Sequence, residues 1–595
     1  MRATETLFLS AVISSCSVTA SFLPTSTFVV PQQSECAAIR VQPGDGCWAV
    51  ANKCSPSITV EQLKEYNPKQ SLCETLVAGD ALCCTPGQLP DMRPKPRPDG
   101  TCYSYSVKAG DGCWDIANKA GLKVGDLDSL NKETWGWTGC SGLKPKDRIC
   151  VSVGAPPLPE PIANAQCGPQ KPGTTWNRHN DKSLASLNPC PLNACCTIWG
   201  QCGVTAEHCT PQGRDKCISN CGMGIVNNKQ EPAKFRTVGY FNGDNIKRKC
   251  LTMNASDIDT SKYTHIHYAF GEIDPIDFNV NKTANQEQFR KFANLTNTKR
   301  IISFGGWTGS NGPDSDIIRN AISEKSRIQF AIRVAQFVLA WKLDGVDFDW
   351  EYAEATTADT ANYLQFLELV RSILTPEHSV SIAVMSGYNT MKQYPMLEIA
   401  RVVDYITYMA YDLHGQWGVG NKWAQSGCPS GNCLRSHLNL TETFHGLSMI
   451  TKSGVPASKI LVGVTSYGRS FNMAQAGCDG PMCTFTGTKD MSEAKPGNCT
   501  ASRGVLAEAE IMDIARNQSR VTRHFVDAHS DILVYDKTQW VAYFGHYTKE
   551  ERVANYKLLN FGGIADWSVD QQVRRPPPAR VQSPATYHVK LEGAW

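Results

Sequence analysis

The stretch from Leu343 to Tyr352, LDGVDFDWEY, carries four acids among apolar and aromatic residues. Read as a strand, it puts alternate side chains on opposite faces. Asp347, Asp349 and Glu351 then share one face, and Val346, Phe348 and Trp350 the other. Three carboxylates in a row repel one another and lose hydration when buried, which is costly for a sheet with no other task. The pattern suits a strand whose apolar face packs in a core. Its acidic face would serve a reaction that needs acids with pKa values pushed apart.

At 595 residues the chain is too long for a single core, so several domains are expected. Its 59 basic and 56 acidic residues leave a net charge of +3 with no long basic run, so nucleic acid is not an implied partner. Residues 1–20 read as a secretory signal: Arg2 is a positive start, Leu7 to Ser14 a short apolar core, and Val18-Thr19-Ala20 a small-residue cleavage site. The competing reading is a disordered or buried N-terminus. No segment has the length of a membrane span.

Of the 25 cysteines, Cys16 falls in the signal. Ten lie from Cys36 to Cys150, eight from Cys167 to Cys221 and six from Cys250 to Cys499. Each block is even and can close its own disulfides, as in an oxidising compartment, with the connectivity left open. Zinc is the competing use, but the few histidines are not interleaved at ligand spacing, so no metal is expected, nor any other cofactor. Six Asn-x-Ser/Thr sites (Asn254, Asn281, Asn294, Asn439, Asn498 and Asn517) fit a glycosylated, exported or cell-wall-associated protein.

The first part of the chain holds an internal repeat. VQPGDGCWAVANKC (Val41–Cys54) returns as VKAGDGCWDIANKA (Val107–Ala120), and each copy is followed by a second helix-like stretch and a short strand-like piece. The order is strand, helix, helix, strand, twice. Units this small need staples, which their six and four cysteines can supply. These repeats resemble LysM modules, βααβ domains that bind N-acetylglucosamine polymers. The resemblance assigns Gly44, Asp45 and Asn67 in the first copy, and Gly110, Asp111 and Asn131 in the second, to ligand-facing loops. The competing reading is that they only shape turns. Modules are expected at 36–86 and 102–152, with Pro-rich spacers at 87–101 and 153–166.

Residues 167–221 hold eight cysteines around the adjacent pair Cys195-Cys196. This spacing resembles the hevein-type chitin-binding module. In that family a hydroxyl after the double cysteine and three aromatic positions bind sugar. Thr197 and Trp199 match the hydroxyl and one aromatic, whereas Gln201 and His208 stand at the other two, which should weaken stacking. The alternative is a purely structural knot.

From Phe235 onward, apolar strand-like runs alternate with helix-like segments. The runs are FRTVGYF (235–241), THIHYAF (264–270), RIISFGGW (300–307), the acidic strand, VSIAVMSGY (380–388), VDYITYMAYD (403–412), ILVGVTSYG (460–468) and GGIADWSV (562–569). Eight such units imply a (β/α)8 barrel over 235–575, with chemistry at the C-terminal strand ends, an α+β insertion at about 470–558, and a tail at 576–595.

Here DGVDFDWE (Asp344–Glu351) matches the DxxDxDxE signature of glycoside hydrolase family 18, the chitinase family. SFGGW (Ser303–Trp307), MAYD (Met409–Asp412), YGR (Tyr467–Arg469) and Trp567 match its third, sixth, seventh and eighth strand motifs. The whole arrangement resembles fungal chitinases related to killer-toxin alpha subunits. Glu351, last on its strand, is the natural acid. The resemblance implies that the substrate's own 2-acetamido oxygen is the nucleophile, with net retention. Asp349 would orient that group, Tyr411 would bond its carbonyl, and Asp347 would support Asp349. Asp412, Arg469, Met409 and Trp567 would line the subsite with Tyr240, Ser303 and Trp307, while Asp344 would only fix the strand and its loop.

The expected partners are chitin and N-acetylglucosamine oligomers, with a toxin subunit as a further candidate. The runner-up function is a catalytically weak chitin-binding lectin or toxin-docking subunit, but the intact Glu351 favours the enzyme. Cleavage of chitobiose cores on glycoproteins ranks third, because three modules for polymeric chitin argue against it.

Overall fold

The computed structural model describes residues 34–573 except 177–182, 214, 281, 312–313 and 352–353. The signal segment, Asn281, Tyr352 and the tail therefore lie outside the described residues. The chain divides into two compact units, residues 1–160 and 161–595. Among the described residues no helix is long and apolar enough to cross a membrane.

The first unit contains two strand–helix–helix–strand modules. Ala38–Arg40 pairs antiparallel with Ala81–Cys83 around the helices Cys47–Lys53 and Val60–Tyr66. Ser104–Ser106 pairs with Arg148–Cys150 around Cys113–Ala120 and Val124–Asn131. Each core is a handful of residues, such as Val50, Leu63 and Leu82 in the first and Ile116, Leu127 and Ile149 in the second. Disulfides 36–83, 47–73 and 54–84 staple the first module, and 102–150 and 113–140 the second. The proline-rich stretch does not hold the two modules apart. Arg40 of the first donates to the Asn118 carbonyl of the second at 3.1 Å.

In the second unit eight parallel strands close on themselves. They are β1 (Arg236–Asn242), β2 (His265–Glu272), β3 (Lys299–Gly305), β4 (Gly345–Asp349), β5 (Ser379–Met385), β6 (Tyr405–Met409), β7 (Ile460–Thr465) and β8 (Gly563–Trp567). They pair in chain order, and β8 pairs back onto β1. The outer helices bury one stripe each. Arg327–Ala340 turns Phe330, Ala331, Val334, Ala335 and Val338 inward at three- and four-residue spacing. A capping box starts Thr357–Ile373: Thr356 Oγ1 accepts the Asp359 N–H, and the Asp359 carboxylate accepts the Thr356 N–H.

One boundary differs from the sequence reading. β7 ends at Thr465, and Tyr467–Asn472 opens a separate five-stranded antiparallel sheet with Val505–Ala507, Val521–Asp527, Ser530–Tyr535 and Gln539–Tyr543. Tyr467 and Arg469 therefore belong to the inserted sheet rather than to the seventh barrel strand. The helix His546–Leu558 leads from the inserted sheet back to β8. Apolarity could not mark the junction, because strands on both sides of it are buried. The disulfide Cys250–Cys499 ties the loop after β1 to this insertion.

Residues 167–221 form a three-stranded sheet closed by disulfides 167–196, 190–202, 195–209 and 217–221. This knot is docked on the barrel helix Leu440–Lys452. Lys452 Nζ donates to the carbonyls of Asn220, at 2.7 Å, and of Gly222, and Asn193 donates to the Lys452 carbonyl at 2.9 Å. The remaining disulfides, 428–433 and 478–483, leave each of the three cysteine blocks closed on itself.

Candidate active site

The barrel register sets Ser303 of β3, Asp347 of β4 and Ser381 of β5 side by side. All three side chains are buried. Ser303 Oγ donates to Asp347 Oδ2 at 2.7 Å, Ser381 Oγ to Oδ1 at 2.7 Å, and Tyr240 OH to Oδ2 at 2.9 Å. His267 Nδ1 stands 3.3 Å from Oδ2, and its Nε2 meets Tyr405 OH at 2.8 Å. Burial alone would raise the Asp347 carboxyl. The imidazole and the hydroxyls oppose that and hold it below its ordinary value.

Two residues on, the environment reverses. Asp349 is buried, its Oδ1 meets no partner, and burial followed by the charges of Glu351 and Asp347 pushes its carboxyl well above the carboxylate range. Glu351 sits just past the strand. Ser310 Oγ accepts its N–H at 2.9 Å, and Asn311 donates to its carbonyl at 2.8 Å. Burial, then the Asp412 charge, raises its carboxyl to about 7. The acidic strand thus carries one carboxyl pulled below its ordinary value and two pushed above theirs. The strands approach closely here because Gly305 has φ +115°, and a Cβ on it would lie 2.1 Å from the Asp349 carbonyl oxygen.

Opposite stands a charge network. Arg469 Nε donates to Asp412 Oδ1 at 2.8 Å and its Nη2 to Oδ2, while Tyr467 OH donates to Oδ1 at 2.6 Å. Buried His437 lies 3.3 Å from the same oxygen. Burial would raise Asp412, but Arg469 and His437 overrule it and hold the carboxyl far below its usual range. The Arg469 guanidinium also lies 4.9 Å from the Trp417 ring centroid. Tyr411 follows β6. Burial, then the charges of Asp349, Glu351 and Asp412, pushes its phenol well up, so it stays a proton donor. Trp567 ends β8, stacked on Phe270 at 5.7 Å and tilted over Tyr240 at 5.6 Å.

Residues 236–572, more than half of the chain, match the family model described as glycosyl hydrolases family 18. The chain belongs to that family. The LysM domain model matches residues 39–85 and 105–152. Among curated relatives, the secreted chitinase LysM12 of Penicillium expansum is 43% identical over 573 residues, covering 92% of this chain and 38% of that protein. The killer toxin subunits alpha/beta of Kluyveromyces lactis are 33% identical over 535 residues, covering 86% and 44%. The chain thus spans about two fifths of the length of such relatives. Among solved structures, catalytic domain 2 of the Ostrinia furnacalis group II chitinase superposes with a TM-score of 0.50 at 21% identity, over 57% of this chain and 90% of that one. That likeness shows the barrel fold alone.

The family 18 barrel brings Asp347, Asp349, Glu351, Tyr411, Asp412, Arg469 and Trp567 around one mouth. The other expected residues differ in exposure and partners. Ser303 and Tyr240 are buried behind the acids with their hydroxyls committed to Asp347, so they do not line a surface. Met409 ends β6, two residues before Tyr411, and is 7% exposed. Trp307 stands on the short helix Gly306–Asn311 and is 64% exposed. Asp344 binds Arg300 at the far end of β4, as a structural residue would. His267, Ser381, His437 and Trp417 were missed. The signal for the first two was their inward-facing register on apolar strands; Trp417 lies in the one-turn helix Gln416–Gly418 and His437 in a loop, neither long enough to carry a periodicity.

The LysM modules need a larger correction. Asn67 Nδ2 donates to the Leu63 and Cys83 carbonyls, and its Oδ1 accepts the Cys83 N–H. Asn131 makes the same three bonds to Leu127 and Cys150, and is 0% exposed. Both asparagines lock the second helix to the last strand through their side-chain amides. Asp45 accepts the Gln42 N–H and pairs with Lys53; Asp111 accepts the Lys108 N–H and pairs with Lys119. These acids fix the turns at Gly44 and Gly110, which have φ +86° and +89°. In the cysteine-rich knot Thr197 is buried and accepts the Gln201 N–H, while Trp199 Nε1 donates to Asp215.

Proposed function

We propose that this chain is an exported endo-acting chitinase that hydrolyses β-1,4 links between N-acetylglucosamine residues, with its small modules holding it on solid chitin. The supporting observation is the geometry of the acidic strand, where Asp347 is held by three hydroxyls and His267 while Asp349 and Glu351 are buried with their carboxyls pushed up. Glu351, raised to about 7, protonates the glycosidic oxygen, and the bond from that oxygen to the anomeric carbon breaks. The substrate's acetamido oxygen attacks the same carbon and closes an oxazolinium ring. Asp349 accepts the acetamido N–H, and Tyr411 donates to the acetamido oxygen. Asp347 keeps a negative charge behind Asp349 as positive charge develops in the ring. Trp567 provides an apolar floor, and Arg469 with Asp412 a polar wall. Glu351, now a carboxylate, takes a proton from water, which opens the ring with net retention.

Export fits the twelve disulfides among the described residues and the relative described as secreted. Tethering by weak modules raises local substrate concentration by avidity. A chitin-docking subunit of a larger toxin is the second reading, favoured by the likeness to the killer toxin subunits. Product release from insoluble chitin separates the two. Wild type releases short oligosaccharides, and Glu351→Gln binds equally but releases none. Binding by both with release by neither would leave the docking reading.

A further inference from the structure

Strand β2 brings a buried imidazole to the back of the acidic strand, and no step of the hydrolysis uses it. His267 is 0% exposed. Around it stand Tyr240 from β1, edge-on at 4.7 Å, Asp347 from β4 and Tyr405 from β6. Asp349 follows two residues on along β4. His265, the preceding inward residue of β2, lies 5.5 Å from the Tyr405 ring; burial, then the charge of His267, lowers its imidazole to about 3, so it stays neutral. The Arg236 guanidinium lies 5.4 Å from the same ring.

The proton count fixes the state of His267. Asp347 accepts from the hydroxyls of Ser303, Ser381 and Tyr240, and three such donors favour its ionised form. Ser381 has one hydroxyl proton and gives it to Asp347, so in its bond with Tyr405 it accepts the phenolic proton. Tyr405, spent as a donor there, can only accept from Nε2 at 2.8 Å, which requires a proton on Nε2. Nδ1 stands 3.3 Å from Asp347 Oδ2, where a bare lone pair would face a carboxylate oxygen, so it too needs a proton. The four side chains form a closed ring only when the imidazole holds both.

We infer that His267 is a buried imidazolium, the fixed counter-ion of Asp347, and a positioning residue that keeps Asp347 negative throughout the reaction. Its part in turnover rests on the hydrolase reading above; the charge pair does not. With the pair intact, activity that needs ionised Asp347 survives until pH falls through the lowered value of that carboxyl. Without the imidazolium, burial is less opposed and the same loss comes at higher pH.

The full chain is compared with His267→Gln, which stays polar but holds no charge, by following kcat/KM on N-acetylglucosamine hexamer across pH. The acidic limb should move up by about one pH unit or more, while the basic limb set by Glu351 near 7 stays in place. Nitrogen NMR of wild type carrying isotope-labelled histidine should show one slowly exchanging imidazole with both protons at mildly acidic pH, lost in the variant. Tyr405→Phe removes the acceptor of the Nε2 proton and leaves both charges. It should shift that imidazole signal and move the acidic limb the same way by less, and it carries the test if the glutamine variant does not fold. An acidic limb left in place, with turnover merely lowered at every pH, overturns the positioning role. An imidazole with a single proton overturns the counter-ion. A doubly protonated imidazole in a wild type that releases no product keeps the charge pair and overturns the hydrolase reading.

Discussion

Asp412 sets a proton on a different residue. Pinned as a carboxylate by Arg469, it adds to the effect of burial on Glu351 and keeps that acid protonated up to about 7. Activity that depends on this proton is present below that value and falls as pH rises through it. Asp412→Asn should therefore move the basic limb of the kcat/KM profile to lower pH, and a limb that stays in place would detach Asp412 from Glu351. Stability carries the same sign. The folded pKa of Glu351 exceeds the unfolded value of about 4.3, so its contribution is complete below the unfolded value and lost as pH rises through about 7. The acids were legible in the sequence because they share one strand. Ser381, His267 and His437 were not, because their closeness to the site exists only once the barrel has closed.

At the scale of elements, alternation of apolar runs sufficed for eight barrel strands, but not for where β7 yields to the inserted sheet, since burial continues on both sides of Thr465. Gly305 shows what a strand end can demand. A side chain there meets backbone at 2.1 Å in a conformation that L residues rarely adopt. Gly305→Val should cost about 2–4 kcal/mol, seen as a lower unfolding midpoint together with lost turnover; an unchanged midpoint would contradict the packing described. Asn67 and Asn131 belong to the same scale. Sequence resemblance gave them to a ligand, whereas their geometry makes them braces between helix and strand. Asn131→Ala should leave buried backbone groups unpaired at about 1–3 kcal/mol, read as faster hydrogen exchange across Arg148–Cys150. Weaker sugar binding with unchanged exchange would restore the original assignment.

For the whole molecule, the even cysteine blocks anticipated independently stapled pieces, and each block closes within itself. Spacing gave no hint that the 167–221 knot docks on the helix Leu440–Lys452, because that contact joins segments more than two hundred residues apart. Among the described disulfides Cys250–Cys499 closes the longest loop, with a separation of 249. Replacing both cysteines by serine should lower stability by about 2–4 kcal/mol, measured as a drop in the midpoint of the barrel transition. The central claim is that an acid strand and the substrate's own acetamido group cleave the glycosidic bond. Proton NMR of the first products from N-acetylglucosamine hexamer tests it most directly. The account predicts new reducing ends that appear as the β anomer before mutarotation. Initial α anomer, or no new reducing ends at all, would contradict it.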